Sequence, residues 1–157
     1  MSTRNYISLG IMTGTSLDGA DLSLIKSDGV DQITFLAGKT FYFPSRLRGL
    51  LISILGSNKR DSAIDFVEEQ YTNFLIDKIK IFIEKRKEKI DLIGLHGQTI
   101  KHSYSEKFTW QIGDSKKIYN HFNIPVVYNF RQNDILNGGN GAPLTPIFHK
   151  LLSKKYK

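Results

Sequence analysis

The segment GIMTGTSLDGAD, residues 10–21, decides the fold because it joins two strand-like stretches through an unusually polar loop. A tight hairpin needs only two turn residues, commonly Asn-Gly or Asp-Gly. This loop instead carries Gly, Thr, Ser, Asp and Gly within positions 14–19. Glycines let backbone N–H groups approach an anion closely, and the hydroxyl groups add further donors. The segment therefore predicts either a wide hairpin turn or a phosphate-binding loop between two strands.

Three strands are predicted around and after this loop. The apolar pattern favours strands over Tyr6–Met12, Ala20–Lys26 and Ile33–Phe43. The turn-forming segment SDGVD, residues 27–31, separates the second strand from the third. Three consecutive strands with short connections predict an antiparallel meander.

Helices and single buried strands are predicted to alternate after the meander. Residues 45–55 indicate a short helix, and apolar residues recur at helical spacing from Asp61 through Phe82. The apolar runs Ile90–Leu95 and Pro125–Phe130 are typical of buried parallel strands, and further helices are predicted over 114–122 and 146–152. This order predicts an α/β fold with a mixed sheet, in which α-crossover strands extend the three-stranded antiparallel meander, as in a ribonuclease H-like domain.

The composition is that of one globular domain. The chain has 157 residues, a formal net charge of +7 and no cysteine, which excludes disulfides, thiolate metal sites and a cysteine nucleophile. We find no apolar stretch of membrane-spanning length and no secretory signal pattern, so we expect a cytoplasmic protein without a membrane partner. The basic charge lies largely in KIKIFIEKRKEK, residues 78–89, and KKYK, residues 154–157, which favours a solvated surface over a nucleic-acid partner.

Polar residues cluster where the predicted strands end. Ligands bind at the carboxyl ends of the strands in sheets with α-crossovers, so we expect these clusters to converge on one cleft. In or near the first of these clusters, Gly14–Gly19, the carboxylate of Asp18 or Asp21 would hold magnesium through water, because magnesium prefers oxygen ligands and keeps part of its hydration shell. The clusters are Gly14–Gly19, His96–Thr99, Gln111–Asp114, and Asn129–Arg131 with Asp134 close behind.

Several of these residues leave alternatives open. His96 is a neutral donor to a sugar hydroxyl, a hydrogen-bonded histidine that caps its strand, or half of a metal pair with His102. Arg131 anchors a carboxylate or phosphate bidentately, or forms a surface ion pair with Asp134. The glycine-rich segment 138–141 lets the backbone approach a ligand, or is a flexible loop before a helix.

Four motifs stand in a fixed order along the chain: GIMTGTSLDGADLSL, LIGLHGQTIKH, QIGD and VVYNFRQNDILNGGNGAPLTPIFH. Together they resemble the anhydro-N-acetylmuramic acid kinase family, and the resemblance runs from about Tyr6 to His149. The sequence departs from the family pattern at Thr13, where Ser is usual, at Asn129, where Asp is usual, and at Asn140, where Gln is usual.

The resemblance implies a carbohydrate kinase of the actin, hexokinase and heat-shock chaperone superfamily, with two ribonuclease H-like lobes around a cleft. Such a kinase uses ATP and magnesium to phosphorylate 1,6-anhydro-N-acetylmuramic acid while water opens the anhydro ring. The product is N-acetylmuramic acid 6-phosphate, an intermediate of peptidoglycan recycling. The resemblance implies ATP-phosphate contacts at Gly14, Thr15, Ser16, Leu17, Asp18, Gly19, Ala20 and Asp21, with magnesium on Asp18 through water. It implies sugar contacts at His96, Gly97, Gln98, Thr99, Gly113, Asp114, Arg131 and Asp134.

Members of the family are over twice as long as this chain, so the resemblance implies that residues 1–157 form the N-terminal lobe alone. The aspartate that activates water is expected in the second lobe, so we expect no catalytic residue here and little or no kinase activity from the chain by itself. One alternative is a non-catalytic remnant, and another is half of a split kinase whose second lobe is separately encoded. An incomplete cleft would also expose apolar surface and favour a homodimer. A ribonuclease H-type nuclease needs clustered carboxylates for two metals, and the first predicted strand carries none.

Overall fold

The computed structural model describes residues 4–155, and the side chains among them up to Ser153. The strands are β1 (Tyr6–Thr13), β2 (Gly19–Ser27), β3 (Ile33–Tyr42), β4 (Leu92–Leu95), β5 (Gln98–Ser103), β6 (Phe108–Ile112) and β7 (Val126–Val127). The helices are α1 (Ser45–Ser53), α2 (Ser62–Ile83), α3 (Ser115–Phe122), α4 (Phe130–Leu136) and α5 (Pro146–Lys155). The lysine-rich C-terminal run extends beyond the described residues.

A five-stranded mixed sheet forms the centre of the fold, with strand order β3-β2-β1-β4-β7. The strands β1, β2 and β3 pair antiparallel, whereas β4 lies parallel to β1 and β7 lies parallel to β4. The predicted α/β class, with a meander extended by crossover strands, is therefore confirmed. Because β1, β4 and β7 are parallel, the loops that follow them leave the sheet at the same edge.

The core packs one face of the sheet against α2. Alternate residues of β1, Leu9, Ile11 and Thr13, are buried, as a strand with one covered face requires. On α2, Tyr71 and Leu75 recur at helical spacing in the same buried cluster. The helix begins where predicted, because the Asp61 side chain accepts a hydrogen bond from the Ile64 N–H at 2.9 Å.

Two elements differ from the sequence prediction. The antiparallel hairpin β5–β6 forms a separate two-stranded sheet in a region to which no strand was assigned. The predicted strand over Pro125–Phe130 is wrong beyond Val127, because the strand ends there and Phe130 begins α4. Asn129 adopts a left-handed backbone with φ 59° and turns the chain between strand and helix. Asn tolerates this conformation better than most residues.

None of the helices within residues 4–155 is both long and apolar enough to cross a bilayer.

Candidate functional site

The Gly14–Gly19 loop joins β1 to β2 and is held mainly by its backbone carbonyls. The Gly14 carbonyl accepts hydrogen bonds from the Leu17 N–H and from Gln98 Nε2. The Leu17 carbonyl accepts from Arg48 Nε at 3.1 Å, and the Asp18 carbonyl accepts from the Phe43 N–H at 2.9 Å. Three carbonyls of the loop, those of Gly14, Leu17 and Asp18, are therefore bonded to the protein.

Two backbone donors of the same loop, the N–H groups of Thr15 and Ser16, have no acceptor among the described residues. The side chains of Thr15, Ser16 and Asp18 are exposed and make no hydrogen bond or ion pair with any described residue. Outward N–H and hydroxyl donors beside one carboxylate are suited to a phosphate accompanied by a cation.

Leu17 and Gly19 fix the path of the loop. Leu17 has a left-handed backbone, with φ 56°, and a side chain only 3% exposed, so packing in the core holds an unfavourable conformation in place. A Cβ at Gly19 would overlap the Phe41 carbonyl oxygen and come within 2.9 Å of Tyr42 Cα. Both obstacles are backbone atoms of β3, so only glycine fits there.

The segment after β4 is bonded directly to the Gly14–Gly19 loop. Gln98 Nε2 donates to the Gly14 carbonyl at 3.2 Å, and the Thr13 hydroxyl donates to the Gly97 carbonyl at 2.9 Å. Gln98 and Thr99 are buried in β5, so their side chains lie beneath the loops instead of on the open surface. Gln98 Oε1 is a buried acceptor with no partner among the described residues.

His96 and Arg131 form the hydrogen bond that connects β4 to α4. Arg131 Nε donates to His96 Nε2 at 2.9 Å, and His96 Nδ1 lies 2.7 Å from the Gly97 carbonyl oxygen. A guanidinium has no acceptor, so His96 Nε2 must be unprotonated and the ring proton sits on Nδ1. Burial, and to a lesser degree the positive charge of Arg131, lowers the pKa of His96, while the Gly97 carbonyl acts in the opposite direction. His96 is therefore a neutral imidazole at pH 7.

Arg131 keeps donors available beyond this bond. Its Nη1 donates to the Gly141 carbonyl at 3.0 Å, whereas Nη2 has no hydrogen-bond partner among the described residues. A guanidinium carries five N–H donors, so part of the fork remains free for an anionic ligand. Burial lowers the pKa of Arg131, but an arginine so placed stays protonated.

Asp134 holds the Gly138–Gly141 loop and does not pair with Arg131. Its Oδ2 accepts from the Gly141 N–H at 2.7 Å, and its carbonyl accepts from the Gly139 N–H at 2.8 Å. The ion pair considered for Arg131 and Asp134 does not occur in the described part of the chain. Lys107 Nζ, from the turn of the β5–β6 hairpin, donates to the Gly139 carbonyl at 3.1 Å.

Gly113 and Asp114 are held by α2. The Gly113 N–H donates to Glu68 Oε1 at 2.8 Å, and the Asp114 N–H donates to Thr72 Oγ1 at 3.0 Å. Gly113 packs against the Gly97 backbone, because a Cβ placed there would lie 3.7 Å from Gly97 Cα. The Asp114 carboxylate accepts from the Lys117 N–H at 2.8 Å and so caps α3.

Metal ligands do not cluster in the described residues. No group of three or more His, Asp or Glu side chains there is arranged to hold a metal ion, so the considered pair of His96 and His102 has no third such ligand among the described residues. Magnesium carried by phosphate oxygens and water needs fewer protein ligands, and the exposed Asp18 carboxylate fits that role. Asp21 also lies in the exposed part of β2, where it accepts a hydrogen bond from Thr40.

The structure brings together most of the residues that the sequence singled out. The Gly14–Gly19 loop, His96–Gly97 and Arg131 are joined by hydrogen bonds at the carboxyl ends of β1, β4 and β7. Sequence reasoning gave no role to Tyr71, whose hydroxyl lies 3.1 Å from Thr13 Oγ1 inside the core. Its position on the apolar face of a helix concealed it, because an aromatic residue there is normally only a packing residue.

A family model described as anhydro-N-acetylmuramic acid kinase matches residues 5–157. The chain belongs to the anhydro-N-acetylmuramic acid kinase family. Curated relatives of that name share 42% identity in Pelagibacter ubique, 35% in Paramagnetospirillum magneticum and 39% in Gluconobacter oxydans. The alignments cover 97%, 94% and 92% of this chain, and 42%, 41% and 41% of the respective relatives. The chain thus spans about two fifths of the length of these curated relatives.

Proposed function

We propose that this chain supplies the ATP-phosphate loop and part of the sugar site of a kinase that phosphorylates 1,6-anhydro-N-acetylmuramic acid. Transfer of the γ-phosphoryl group from ATP accompanies hydrolytic opening of the anhydro ring and gives N-acetylmuramic acid 6-phosphate. The observation that carries the proposal is the Gly14–Gly19 loop, whose Gly14, Leu17 and Asp18 carbonyls bond to the protein while the Thr15 and Ser16 N–H groups, within the described residues, stay unpaired. Family membership supports the choice of substrate.

The Gly14–Gly19 loop would bind the phosphates of ATP. Backbone N–H groups and the Thr15 and Ser16 hydroxyls can donate to phosphate oxygens without any rearrangement of the loop, because the protein already holds it from behind. Asp18 would contact magnesium through water. Magnesium supplies charge neutralisation on the phosphates, and this chain's residues position them. Ala20 and Asp21 continue the loop into β2 and would border the same site.

The sugar would lie beside Arg131 and His96. N-acetylmuramic acid carries a carboxylate, and the free N–H groups of Arg131 are suited to bind it bidentately. His96, with its ring proton committed to Gly97, would orient Arg131. The part of the site formed by Arg131 and His96 would be supported from the protein side by Gly97, Gln98, Thr99, Gly113 and Asp114. Asp134 would shape it through the Gly138–Gly141 loop.

Phosphoryl transfer requires in-line positioning of donor and acceptor, with charge stabilisation from both sides of a cleft. The described residues would build one side of such a cleft. We propose that the group that activates water belongs to the second lobe of the family, supplied by a further part of the protein or by a separate chain. We also propose that this chain is the N-terminal lobe of the kinase, that it forms a homodimer and that it is cytoplasmic. A nuclease is disfavoured because the described residues hold no cluster of metal ligands.

A chimera tests the proposal directly. The chain is fused to the part of the Pelagibacter ubique relative that follows its aligned segment, and transfer of phosphate from labelled ATP to the anhydro sugar is measured. We expect turnover by the chimera and none above background by the 157-residue chain alone. Arg131→Met in the chimera should raise KM for the sugar, whereas Arg46→Met, on the exposed surface of α1, should not. A folded chimera without turnover, in an assay where the intact relative is active, would overturn the proposal.

A further inference from the structure

Two buried hydroxyl groups lie behind the His96–Arg131 pair without contacting the open surface. Thr13 is 1% exposed, and Tyr71 is fully buried on α2. The Thr13 hydroxyl donates to the Gly97 carbonyl at 2.9 Å and lies 3.1 Å from the Tyr71 hydroxyl. Because the hydrogen of Thr13 is committed to Gly97, the Tyr71 hydroxyl must be the donor to Thr13. Burial raises the pKa of Tyr71, so this hydroxyl keeps its proton.

The same carbonyl receives a second hydrogen bond from the other direction. His96 Nδ1 lies 2.7 Å from the Gly97 oxygen, and the opposite ring nitrogen accepts from Arg131. The Gly97 oxygen is therefore the meeting point of two donors, Thr13 from the core and His96 from the site. The backbone at Gly97 has φ 76°, and a Cβ there would come within 2.7 Å of the Ile112 carbonyl oxygen, so only glycine fits at this position.

We propose that Thr13 and Tyr71 are positioning residues that fix the Nδ1-protonated tautomer of His96 and thereby aim Arg131 at an anionic group of the ligand. Two series of hydrogen bonds converge on the Gly97 oxygen: Tyr71 donates to Thr13, which donates to Gly97, and Arg131 donates to His96, which donates to the same oxygen. The ligand-binding part of this inference rests on the proposed function. The tautomer and its dependence on Thr13 do not.

The polarity of the network explains why a hydroxyl is needed at position 13. Without it the Gly97 carbonyl loses the donor that ties it to the end of β1, and only His96 holds it. The Gly97 carbonyl can then move relative to the His96 ring. A carbonyl oxygen that is no longer fixed beside Nδ1 favours hydrogen on Nδ1 less strongly, so the tautomer with hydrogen on Nε2 becomes accessible. That tautomer cannot accept from Arg131, since two N–H groups would face each other.

Nitrogen-15 NMR of the 157-residue chain tests the inference without any ligand. In the wild type we expect His96 Nδ1 to be protonated, Nε2 to be unprotonated, and the Arg131 Nε–H to be protected from exchange. Thr13→Ser should preserve this pattern. Thr13→Val, which removes the hydroxyl at nearly constant shape, should give a mixture of tautomers and at least tenfold faster exchange at Arg131 Nε–H.

Two results would overturn the inference. One is a wild-type His96 protonated on Nε2. The other is an unchanged tautomer and unchanged Arg131 exchange in folded Thr13→Val. If Thr13→Val does not fold, Tyr71→Phe takes its place, and we expect a smaller shift in the His96 tautomer mixture and a smaller increase in Arg131 Nε–H exchange. No change in either quantity would contradict the inference. Inactivity of the chimera would overturn the proposed function and leave the NMR result standing, so the two failures are distinguishable.

Discussion

The Gly14–Gly19 loop and the Gly138–Gly141 loop are both rich in glycine, yet the protein holds them in opposite ways. Backbone carbonyls fix the first, through bonds from Leu17, Gln98, Arg48 and Phe43. Charged side chains fix the second: Asp134 accepts from Gly141, while Arg131 and Lys107 donate to its carbonyls.

This difference shows where ligand-binding capacity remains. In the Gly14–Gly19 loop the polar side chains are exposed and free of partners among the described residues, so they can all serve a ligand. Around the Gly138–Gly141 loop the carboxylate of Asp134 is already used to hold the backbone. Arg131 uses Nε and Nη1 for the protein, and its Nη2 has no hydrogen-bond partner among the described residues. We therefore expect changes in the two loops to have different consequences.

The largest effect is expected from Gly19→Ala. The new Cβ would overlap the Phe41 carbonyl and approach Tyr42 Cα at 2.9 Å, and a strand backbone cannot move aside. We expect the free energy of unfolding in urea to fall by about 3 kcal/mol or more. Gly139→Ala meets the Asp134 carboxylate, which can rotate away at the cost of its bond to Gly141, so we expect a loss of about 1 kcal/mol.

Gly10→Ala is the matched control for both variants. A Cβ at Gly10 would lie 3.8 Å from the Ser23 carbonyl, an ordinary contact, so the change should be within about 0.5 kcal/mol. Equal losses for Gly19→Ala and Gly139→Ala would show that the two loops are held with similar rigidity, and the contrast drawn above would be wrong.

The next effect concerns the buried bond between Thr13 and Tyr71. Thr13→Val leaves the Tyr71 hydroxyl unpaired in the core, so we expect a loss of about 1–3 kcal/mol in the free energy of unfolding. Tyr71→Phe should cost about 1 kcal/mol. The double variant should be less destabilised than the sum of the two, because no unpaired hydroxyl remains.

Thr13→Ser serves as the control for that cycle. It keeps the hydroxyl and removes a methyl group, so its loss should be smaller than that of Thr13→Val. If the losses in the free energy of unfolding of Thr13→Val and Tyr71→Phe are strictly additive, the two hydroxyls do not interact. That result would contradict the hydrogen bond from Tyr71 to Thr13.

The smallest effect is a shift in the pKa of His96. The Arg131 charge contributes to the lowered pKa, so Arg131→Met should raise it, and Arg46→Met should leave it unchanged. An NMR titration of the His96 ring measures this directly. A pKa of His96 that falls or stays constant in Arg131→Met would contradict the contact between the two side chains.

The sign of the linked stability follows from the same shift. The folded pKa of His96 lies below the unfolded value of about 6.5, so the unfolded chain binds the proton more readily. The contribution of His96 to stability is present above about pH 6.5 and is lost as the pH falls through the folded pKa. In Arg131→Met the loss of folding stability at acid pH should be smaller, because the folded and unfolded pKa values of His96 lie closer together.

Most of the central sheet could be predicted from sequence because its signals are local. The apolar pattern of β1, the turn after β2 and the helical spacing of α2 each come from neighbouring residues. The convergence of the Gly14–Gly19, His96–Thr99 and Arg131 regions followed from one general rule about the ends of parallel strands. The hydrogen bonds among these regions agree with that expectation.

Local sequence signals do not reveal features that depend on tertiary contacts. Gln98 and Thr99 are buried in β5, where Gln98 bonds to Gly14, and the sugar contact predicted for them stays a prediction. The α4 helix was missed because the left-handed turn at Asn129 ends β7 early. The role of Tyr71 depends on a partner 58 residues away, which no local pattern reveals.

The most direct test of the central claim is a pair of NMR titrations of the labelled 157-residue chain, one with a magnesium complex of a non-hydrolysable ATP analogue and one with the anhydro sugar. We predict saturable shifts of the Thr15 and Ser16 amides with the nucleotide, and of the Arg131 Nε–H and His96 ring with the sugar. Shifts confined to other surfaces, or no saturable shift at Thr15 and Ser16 with the nucleotide, would contradict the assignment of this edge of the sheet as the ligand site.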